Sequence, residues 1–248
     1  MRRRVRAQIA GLLATAAVVS SPPSALADPA EGRMVNGREA TEAYSFMVSV
    51  QFRNGQHWCG GTLVGRYWVL TAAHCVAQFS TDSLQLRIGS KNRREGGSLT
   101  YPEKFVLHGS LDIALIKLKR SEWTTPIIRS TRPSEGRAVR LLGWGHTCSG
   151  DDCPDQNPVM LQQLDTMVVA PGVCNPGINA VYEFCVQRSG KDGGPCDGDS
   201  GGPAISNPDG RYWRLVGVIA RGNTDCRVGP DILVTVGPQL DWINKEMR

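Results

Sequence analysis

The chain has 248 residues, with 28 lysines and arginines against 23 acids and a formal net charge of +5. Five of the arginines and two of the acids lie in the first 33 residues, so the remaining 215 carry 23 basic and 21 acidic side chains, a net charge of +2. This near balance, without a basic patch or interleaved aromatics, argues against nucleic acid as a partner. A remainder of this length can bury a sizeable core, as one domain or as two small lobes.

Residues 1–27 predict an export signal. An arginine-rich head (residues 2–6) precedes an apolar run (9–19) that is too short to span a bilayer comfortably, and Ala25-Leu26-Ala27 offers small residues for cleavage before Asp28. A short membrane anchor is the alternative, which the short run and the cleavage site disfavour. We therefore expect a secreted, extracellular protein with no membrane contact after signal cleavage. Its eight cysteines are then expected to form disulfides.

The body of the chain is expected to be all-β. Short apolar and β-branched runs are separated by Gly, Asn, Asp and Pro, a pattern typical of an all-β sandwich or barrel. The runs are residues 46–52, 62–64, 68–70, 84–88, 113–116, 139–142, 161–164, 216–219 and 232–236. A strand-poor stretch between Arg120 and Gly136 predicts a linker between two β lobes. The one predicted helix is C-terminal, where Leu240, Ile243 and Met247 repeat at helical spacing.

The segment Gly198-Asp199-Ser200-Gly201-Gly202-Pro203 leaves a serine hydroxyl uncrowded between glycines. The pattern fits the nucleophile elbow of α/β-hydrolases, a serine protease loop, or a plain glycine-rich turn. The elbow requires a histidine after the serine, whereas the four histidines of this chain all precede Ser200. They are His57, His74, His108 and His146. The elbow interpretation therefore fails for lack of a base, and a His-Asp-Ser order stays open.

Two further residues complete that order. His74 lies in Thr71-Ala72-Ala73-His74-Cys75 directly after a predicted strand, and Asp112 begins the apolar run at 113–116. A carboxylate at the mouth of a buried strand needs hydrogen bonds, and an imidazole N–H would supply one while fixing the tautomer that a base requires. Each alone could be an ordinary buried histidine or a turn cap. Together with Ser200 they predict a base, its orienting acid and a nucleophile.

With these motifs, the sequence resembles the chymotrypsin-like (trypsin-like) serine proteases. The resemblance is carried by residues 71–75, 112–115 and 198–203 together with Gly143-Trp144-Gly145, and extends from about Met34 to the C-terminus. It implies a protease domain over 34–248, with antiparallel β-barrels at about 34–120 and 135–236 and a C-terminal helix at about 238–248. It also implies a monomeric serine endopeptidase that acts on proteins or peptides without a cofactor.

The resemblance assigns roles to individual residues. Ser200 would attack the scissile carbonyl, His74 would act as base and then acid, and Asp112 would orient the imidazole. Backbone N–H groups of Gly198 and Ser200 would form the oxyanion hole. A catalytically silent homologue that binds partners through its cleft is the alternative, and the intact His74, Asp112 and Ser200 argue against it.

The resemblance also pairs six of the eight cysteines: Cys59 with Cys75, Cys174 with Cys185, and Cys196 with Cys226. The two that remain, Cys148 and Cys153, are then paired by elimination. A zinc site at His146, Cys148 and Cys153 is disfavoured because the spacing matches no common ligand pattern. No metal site is predicted, and the stretch between His74 and Asp112 lacks an acid-rich calcium loop.

Activation by cleavage is a further implication of the resemblance. An activating protease would cut after Arg33, remove a propeptide at 28–33, and let the new amino group of Met34 insert beside Asp199. The family usually has Ile or Val at this position, so Met34 is a departure, although it is apolar. The alternative is a mature chain that begins at residue 28.

Two more residues match zymogen positions of the family. Ser49 and His57 correspond to residues that hold the acid next to the nucleophile in some zymogens, which predicts that they hold Asp199 before cleavage. A structural role for His57 beside Trp58 is the alternative.

The pocket for the substrate residue before the cleaved bond departs from the trypsin-like pattern. Gly194 stands where an acid is expected, and Asp231 stands where a glycine is usual on the opposite side of the pocket base. Asp231 therefore predicts a weak preference for basic residues, with a solvated loop acid and a preference for apolar or small residues as alternatives. The wall is Ala220-Arg221-Gly222 instead of Ser-Trp-Gly, and Arg221 could either neutralise Asp231 or attract acidic substrate residues.

Overall fold

The computed structural model describes residues 34–35, 37–148, 157–174, 177–188, 193–222, 225–226 and 228–248. The predicted export signal and propeptide therefore lie outside the described residues. The strands are β1 (Arg38–Glu39), β2 (Met47–Phe52), β3 (His57–Gly65), β4 (Trp68–Thr71), β5 (Leu84–Ile88), β6 (Ser98–Thr100), β7 (Pro102–Leu107), β8 (Ala114–Leu118), β9 (Ile128–Arg129), β10 (Ala138–Gly143), β11 (Gln162–Val169), β12 (Glu183–Val186), β13 (Pro203–Ser206), β14 (Arg214–Arg221) and β15 (Asp231–Thr235). One α-helix, α1 (Leu240–Glu246), follows them.

The first lobe is a seven-stranded antiparallel sheet with the order β6-β5-β2-β3-β4-β8-β7. Its core is built from alternate residues of the strands, such as Val48 and Val50 of β2, which have no solvent exposure. Within the described residues β6 and β7 do not pair with each other, so this lobe is a half-barrel. The predicted all-β chymotrypsin-like fold is confirmed, with the first of its two barrels open.

The second lobe closes. Strands β10-β13-β14-β15-β12 are paired in that order, and β11 pairs with both β12 and β10, which completes a six-stranded antiparallel barrel. Strand β1 adds to the outside of β11, and β9 pairs with β14 in parallel. Apolar side chains from these strands, including Leu141, Phe184 and Leu233, fill the barrel together with Met34.

All nine predicted strand runs are strands, within about two residues at their ends in most cases. The predicted C-terminal helix is also present but shorter, because Pro238 belongs to a 3₁₀ turn at Gly237–Gln239 that precedes α1. The helix packs on the first lobe, with Ile243 buried and Trp242 against the same core cluster. The sequence missed β1, β6, β7, β9, β12 and β13.

Three disulfides have both cysteines among the described residues: Cys59–Cys75, Cys174–Cys185 and Cys196–Cys226. The first links β3 to the turn that carries His74, and it closes a loop with a sequence separation of 16. A loop of this size contributes about 3 kcal/mol in the chain-entropy model. Cys148 is also disulfide-bonded, and its predicted partner Cys153 lies outside the described residues. In the part of the chain described here, no helix is long and apolar enough to cross a bilayer.

Candidate active site

Strand pairing brings His74 and Asp112 together. Strand β4 pairs with β8 so that Thr71 lies opposite Ala114, and the two side chains lie just beyond the ends of these neighbouring strands. His74 occupies a 3₁₀ turn directly after β4. Its Nδ1 lies 2.7 Å from Asp112 Oδ2, and its backbone N–H donates to Asp112 Oδ1 at 2.9 Å. The carboxylate therefore holds both the ring and the backbone of the histidine.

The acid of this pair is kept ionised by its hydrogen bonds. Partial burial alone would raise the pKa of Asp112. Hydrogen bonds from the His74 side chain, from its backbone and from Ala73 outweigh the burial and lower the pKa below its usual value. The hydrogen bond also fixes the ring tautomer, because a carboxylate oxygen accepts from Nδ1–H and leaves Nε2 with a free lone pair.

The serine loop of the second lobe is attached to the first lobe. The backbone N–H of Gly60 in β3 donates to the Ser200 carbonyl at 2.8 Å. Within the second lobe, the loop is held by Gly201 N–H, which donates to the carbonyl of Ile219 in β14 at 2.7 Å. A Cβ on Gly60 would stand 2.7 Å from the backbone of Gly202, so this approach requires glycine. The contact brings Ser200 to the side of the first lobe that carries His74.

His74 and Ser200 line the same cleft, which has a volume of about 450 Å³ and is bordered also by Trp58, Asp197 and Gly198. Within the described residues no hydrogen bond joins His74 to Ser200, and His74 Nε2 lies 3.7 Å from Cys75 Sγ. Catalytic hydrogen bonds are often long before substrate binds. The structure therefore joins two of the three predicted residues directly and places the third on the same cleft.

One group near this cleft has metal-ligand atoms close together. Ligand atoms of Cys59, His74 and Cys75 lie within 4.8 Å of one another. The two sulfurs are bonded to each other as a disulfide, so neither offers the thiolate that binds metal. The cluster therefore does not provide a metal site.

His57 holds the peptide of Gly198 rather than Asp199. Its Nε2 lies 2.9 Å from the Gly198 carbonyl and its Nδ1 lies 2.7 Å from Ser49 Oγ. A carbonyl can only accept, so Nε2 donates and Nδ1 accepts from the Ser49 hydroxyl. Burial lowers the pKa of His57 to about 3, which keeps the ring neutral. The expected Ser49–His57 pair is present, but in this structure it restrains Gly198, whose φ of 95° requires glycine.

Asp199 is fully buried beneath the serine loop. Its Oδ1 accepts from the backbone N–H of Gly145 at 2.7 Å and its Oδ2 from that of Cys196 at 2.9 Å. Burial raises the pKa of Asp199 to about 7 despite these bonds, and Asp197 adds to the rise. The Gly143-Trp144-Gly145 segment lies against this carboxylate so closely that a Cβ on either glycine would overlap it.

Gly145→Ala is expected to destabilise the protein by about 3 kcal/mol, the upper part of the range for overpacking a filled core. The added methyl group would overlap the Asp199 carboxylate, which is fully buried and held by two backbone hydrogen bonds. Urea unfolding of both proteins measures the difference. Gly109→Ala is the matched control, since a Cβ there meets nothing within 4 Å, and equal unfolding midpoints for the two variants would contradict the prediction.

Gly194 and Asp231, the two residues of the predicted pocket base, lie close together, and Arg188, which was not predicted for this site, lies beside them. A Cβ on Gly194 would stand 2.7 Å from Asp231 Oδ2 and 2.7 Å from Arg188 Nη2. Asp231 is 2% exposed. Burial raises its pKa to about 7, Arg188 opposes that rise, and Asp199 adds to it. The only sequence signal for Arg188 was a basic residue shortly after Cys185.

Arg221, in the predicted pocket wall, does not neutralise Asp231. Its Nη1 and Nη2 both donate to the Glu183 carboxylate, the second at 2.9 Å, and Nη2 also donates to the Gly177 carbonyl at 3.3 Å. Glu183 is buried, and its hydrogen bonds with Arg221 outweigh burial to lower its pKa. Arg221 is thus the exposed half of an ion pair along the wall formed with Ala220 and Gly222.

Comparison with known proteins agrees with this geometry. The family model described as Trypsin matches residues 34–243. A trypsin of Sarcophaga bullata is 31% identical over 243 residues, which cover 88% of this chain and 90% of the relative. Trypsin epsilon of Drosophila erecta is 32% identical, with 94% of each chain covered. Hypodermin-A of Hypoderma lineatum is 31% identical, with 82% of each chain covered.

Proposed function

Because the chain belongs to the trypsin family and is a serine endopeptidase that acts on proteins or peptides, we propose that Ser200, His74 and Asp112 carry its catalysis. The observation that supports this assignment is the contact of His74 Nδ1 with Asp112 Oδ2 at 2.7 Å, on a cleft that Ser200 also lines. Backbone N–H groups of Gly198 and Ser200 are the proposed oxyanion hole. His57 supports that role by holding the Gly198 carbonyl.

In the proposed mechanism, Ser200 Oγ attacks the scissile carbonyl while His74 Nε2 takes the hydroxyl proton. The carbonyl π electrons move to the oxygen, which accepts from the two backbone N–H groups, and Asp112 stabilises the imidazolium. Collapse of the intermediate breaks the C–N bond, and His74 returns the proton to the leaving amine. Water then repeats the sequence on the acyl-enzyme, so that the acid product leaves and Ser200 regains its proton.

Covalent labelling tests the assignment of the nucleophile. Incubation of the protein, cut after Arg33, with a fluorophosphonate probe is expected to label one site, because only an activated serine attacks phosphorus at neutral pH. Ser200→Ala should abolish the label. Ser134→Ala, which alters an exposed serine, should keep it. A label that survives in Ser200→Ala would overturn the assignment, and a folded wild type that takes no label would favour the binding-protein alternative.

Export and activation are part of the same proposal. Residues 1–27 are proposed to direct secretion, and cleavage after Arg33 is proposed to remove residues 28–33. Burial of Asp199 without an ion-paired side-chain cation among the described residues supports this activation. Further support comes from the backbone bridge between Val35 and Gly194, at 3.1 Å from N to O, which ties the start of the mature chain to the pocket base.

The proposed substrate preference is a weak one for Lys or Arg before the cleaved bond. Asp231 Oδ2 is buried and has no hydrogen-bond partner among the described residues, and a buried carboxylate oxygen gains from a donor or a cation. A basic substrate side chain that reaches the pocket base would supply both. Gly194 leaves space next to this oxygen, and Arg188 borders the same space.

A further inference from the structure

The base of the substrate pocket contains a cation of the protein's own. A Cβ atom on Gly194 would lie 2.7 Å from Arg188 Nη2 and 2.7 Å from Asp231 Oδ2. The guanidinium and the carboxylate therefore border the volume that a side chain on Gly194 would have filled. Asp231 also faces the opposite wall, since a Cβ on Gly222 would stand 2.6 Å from its Oδ1.

The fold holds Arg188 in this position. Strand β12 pairs with β15 so that Val186, its last residue, lies opposite Asp231, and Arg188 follows two residues later. Its Nη1 donates to the Gly229 carbonyl at 3.2 Å, and its Nη2 donates to the Cys226 carbonyl. Its Nε is buried without an acceptor among the described residues. Two backbone carbonyls therefore fix the position of the guanidinium.

The other charged groups near Asp231 do not act as its cationic neighbour. Arg221 is ion-paired with Glu183, and Asp199 acts on Asp231 only as a second negative charge. Arg188 is the cation that lowers the cost of ionising Asp231. No ion pair within 4.0 Å joins Arg188 to Asp231 among the described residues, so Asp231 Oδ2 stays available to a further donor.

We propose that Arg188 is a specificity-determining residue that competes with the cationic side chain of a substrate for Asp231. This inference rests on the proposed endopeptidase function and deepens it. A substrate Lys or Arg at the pocket base meets the Arg188 guanidinium as a like charge in a poorly solvated site, where repulsion is strong. An uncharged substrate side chain meets no such repulsion. Arg188 therefore weakens the preference of the enzyme for basic substrate residues, and its removal strengthens that preference.

The test uses the full chain cut after Arg33 and four peptide substrates that differ only in the residue before the cleaved bond: Lys, Arg, Gln or Leu. Active enzyme is counted by fluorophosphonate labelling. Arg188→Gln is expected to raise kcat/KM for the Lys and Arg substrates by at least about tenfold relative to the Gln and Leu substrates. Arg38→Gln, which removes an exposed arginine paired with Asp165, is expected to leave all four ratios unchanged.

Two further variants separate charge from structure. Arg188→Lys keeps a cation and is expected to show no gain for basic substrates. Adding Asp231→Asn to Arg188→Gln is expected to abolish the gain, because the carboxylate is its source. Inhibition by an arylamidinium, measured on wild type and Arg188→Gln, gives the same comparison without peptide turnover and is expected to strengthen at least about tenfold.

Each outcome bears on a different claim. Labelled enzyme that hydrolyses none of the four peptides contradicts the endopeptidase function itself. Hydrolysis with unchanged substrate ratios in a folded Arg188→Gln, or a gain that survives Asp231→Asn, overturns the role of Arg188 and leaves the endopeptidase function intact.

Discussion

Replacing His74 by alanine is expected to lower kcat of the protein cut after Arg33 by about 10⁶-fold, the size of loss found when the base of a Ser-His-Asp triad is removed. Without the imidazole, no other side chain among the described residues of the cleft is hydrogen-bonded to Asp112 and able to accept the proton of Ser200. The rate is measured with a peptide substrate at saturating concentration. Asp112→Asn is expected to cost less, about 10⁴-fold, because the ring remains but loses its preferred tautomer.

The order of these two losses tests whether Asp112 acts through His74. Asp112 acts through His74 by a side-chain bond of 2.7 Å and a backbone bond of 2.9 Å, so the double variant should be no slower than His74→Ala alone. Asp209→Asn removes another acid that is hydrogen-bonded to an arginine, and it serves as the charge-matched control. Losses that add, or a His74→Ala variant that keeps more than about one hundredth of the wild-type rate, would contradict a triad.

Local chemistry explains why the proposed catalytic residues could be selected from the sequence. Gly198, Gly201 and Gly202 are required by a positive φ or by close backbone contacts, so the motif around Ser200 is visible in a short window. His74 and Asp112 each stand just beyond a strand end, and those strands have apolar runs long enough to recognise. Chain order then excluded the other serine hydrolase fold.

The missed strands have weak local signals. Strand β7 begins with Pro102 and carries two exposed charged residues, and β12 has only four residues and includes Glu183. Both are fixed by pairing with neighbours, β7 with β8 and β12 with β15. The formation of these two strands therefore depends on pairing with their neighbours and not on the β propensity of their own residues.

The missed strand β12 explains the missed pocket residue. Val186 and Asp231 are 45 positions apart in the chain but lie opposite each other on the neighbouring strands β12 and β15. This pairing brings Arg188 close to Asp231. Arg221 likewise finds Glu183 through the barrel and not through sequence proximity. Local sequence therefore indicated the acid of the predicted pocket base, whereas Arg221, for which neutralising Asp231 was one of two predicted roles, pairs with Glu183 instead.

Cleavage after Arg33 is expected to raise kcat/KM by about 10²–10⁴-fold. A buried charge that lacks its partner costs about 3–5 kcal/mol, and each 1.36 kcal/mol corresponds to a factor of ten. Asp199 is such a charge once it ionises, because it has no solvent exposure and burial raises its pKa to about 7. The new ammonium group of Met34 would stabilise its ionised form, and with it the turn that precedes Ser200.

The backbone of Met34 supports this direction of change. Before cleavage its φ is +62°, in the left-handed region that methionine rarely adopts, while its side chain is already fully buried in the second-lobe core. Cutting the preceding peptide bond removes the φ restraint and leaves the side chain as an anchor for the new amino group. An Arg33→Gln chain treated with the same activating protease is the control. Equal activity of the cut chain and the uncut Arg33→Gln chain would contradict activation.

Stability against pH gives a second readout of the same pairing. The uncut, folded chain holds a proton on Asp199 up to about pH 7, whereas the unfolded chain loses it near the usual value of 3.8. The folded state binds more protons in this window, so Asp199 makes stability fall as pH rises from about 4 to 7.

His57, with its pKa lowered to about 3, acts in the opposite direction, so the contribution of Asp199 must be isolated by difference. Asp199→Asn in the uncut chain should remove its share of the fall, and cleavage should reduce it in the wild type because the ammonium group favours the carboxylate. An unfolding free energy whose pH dependence is the same in cut and uncut chains would mean that Met34 does not reach Asp199.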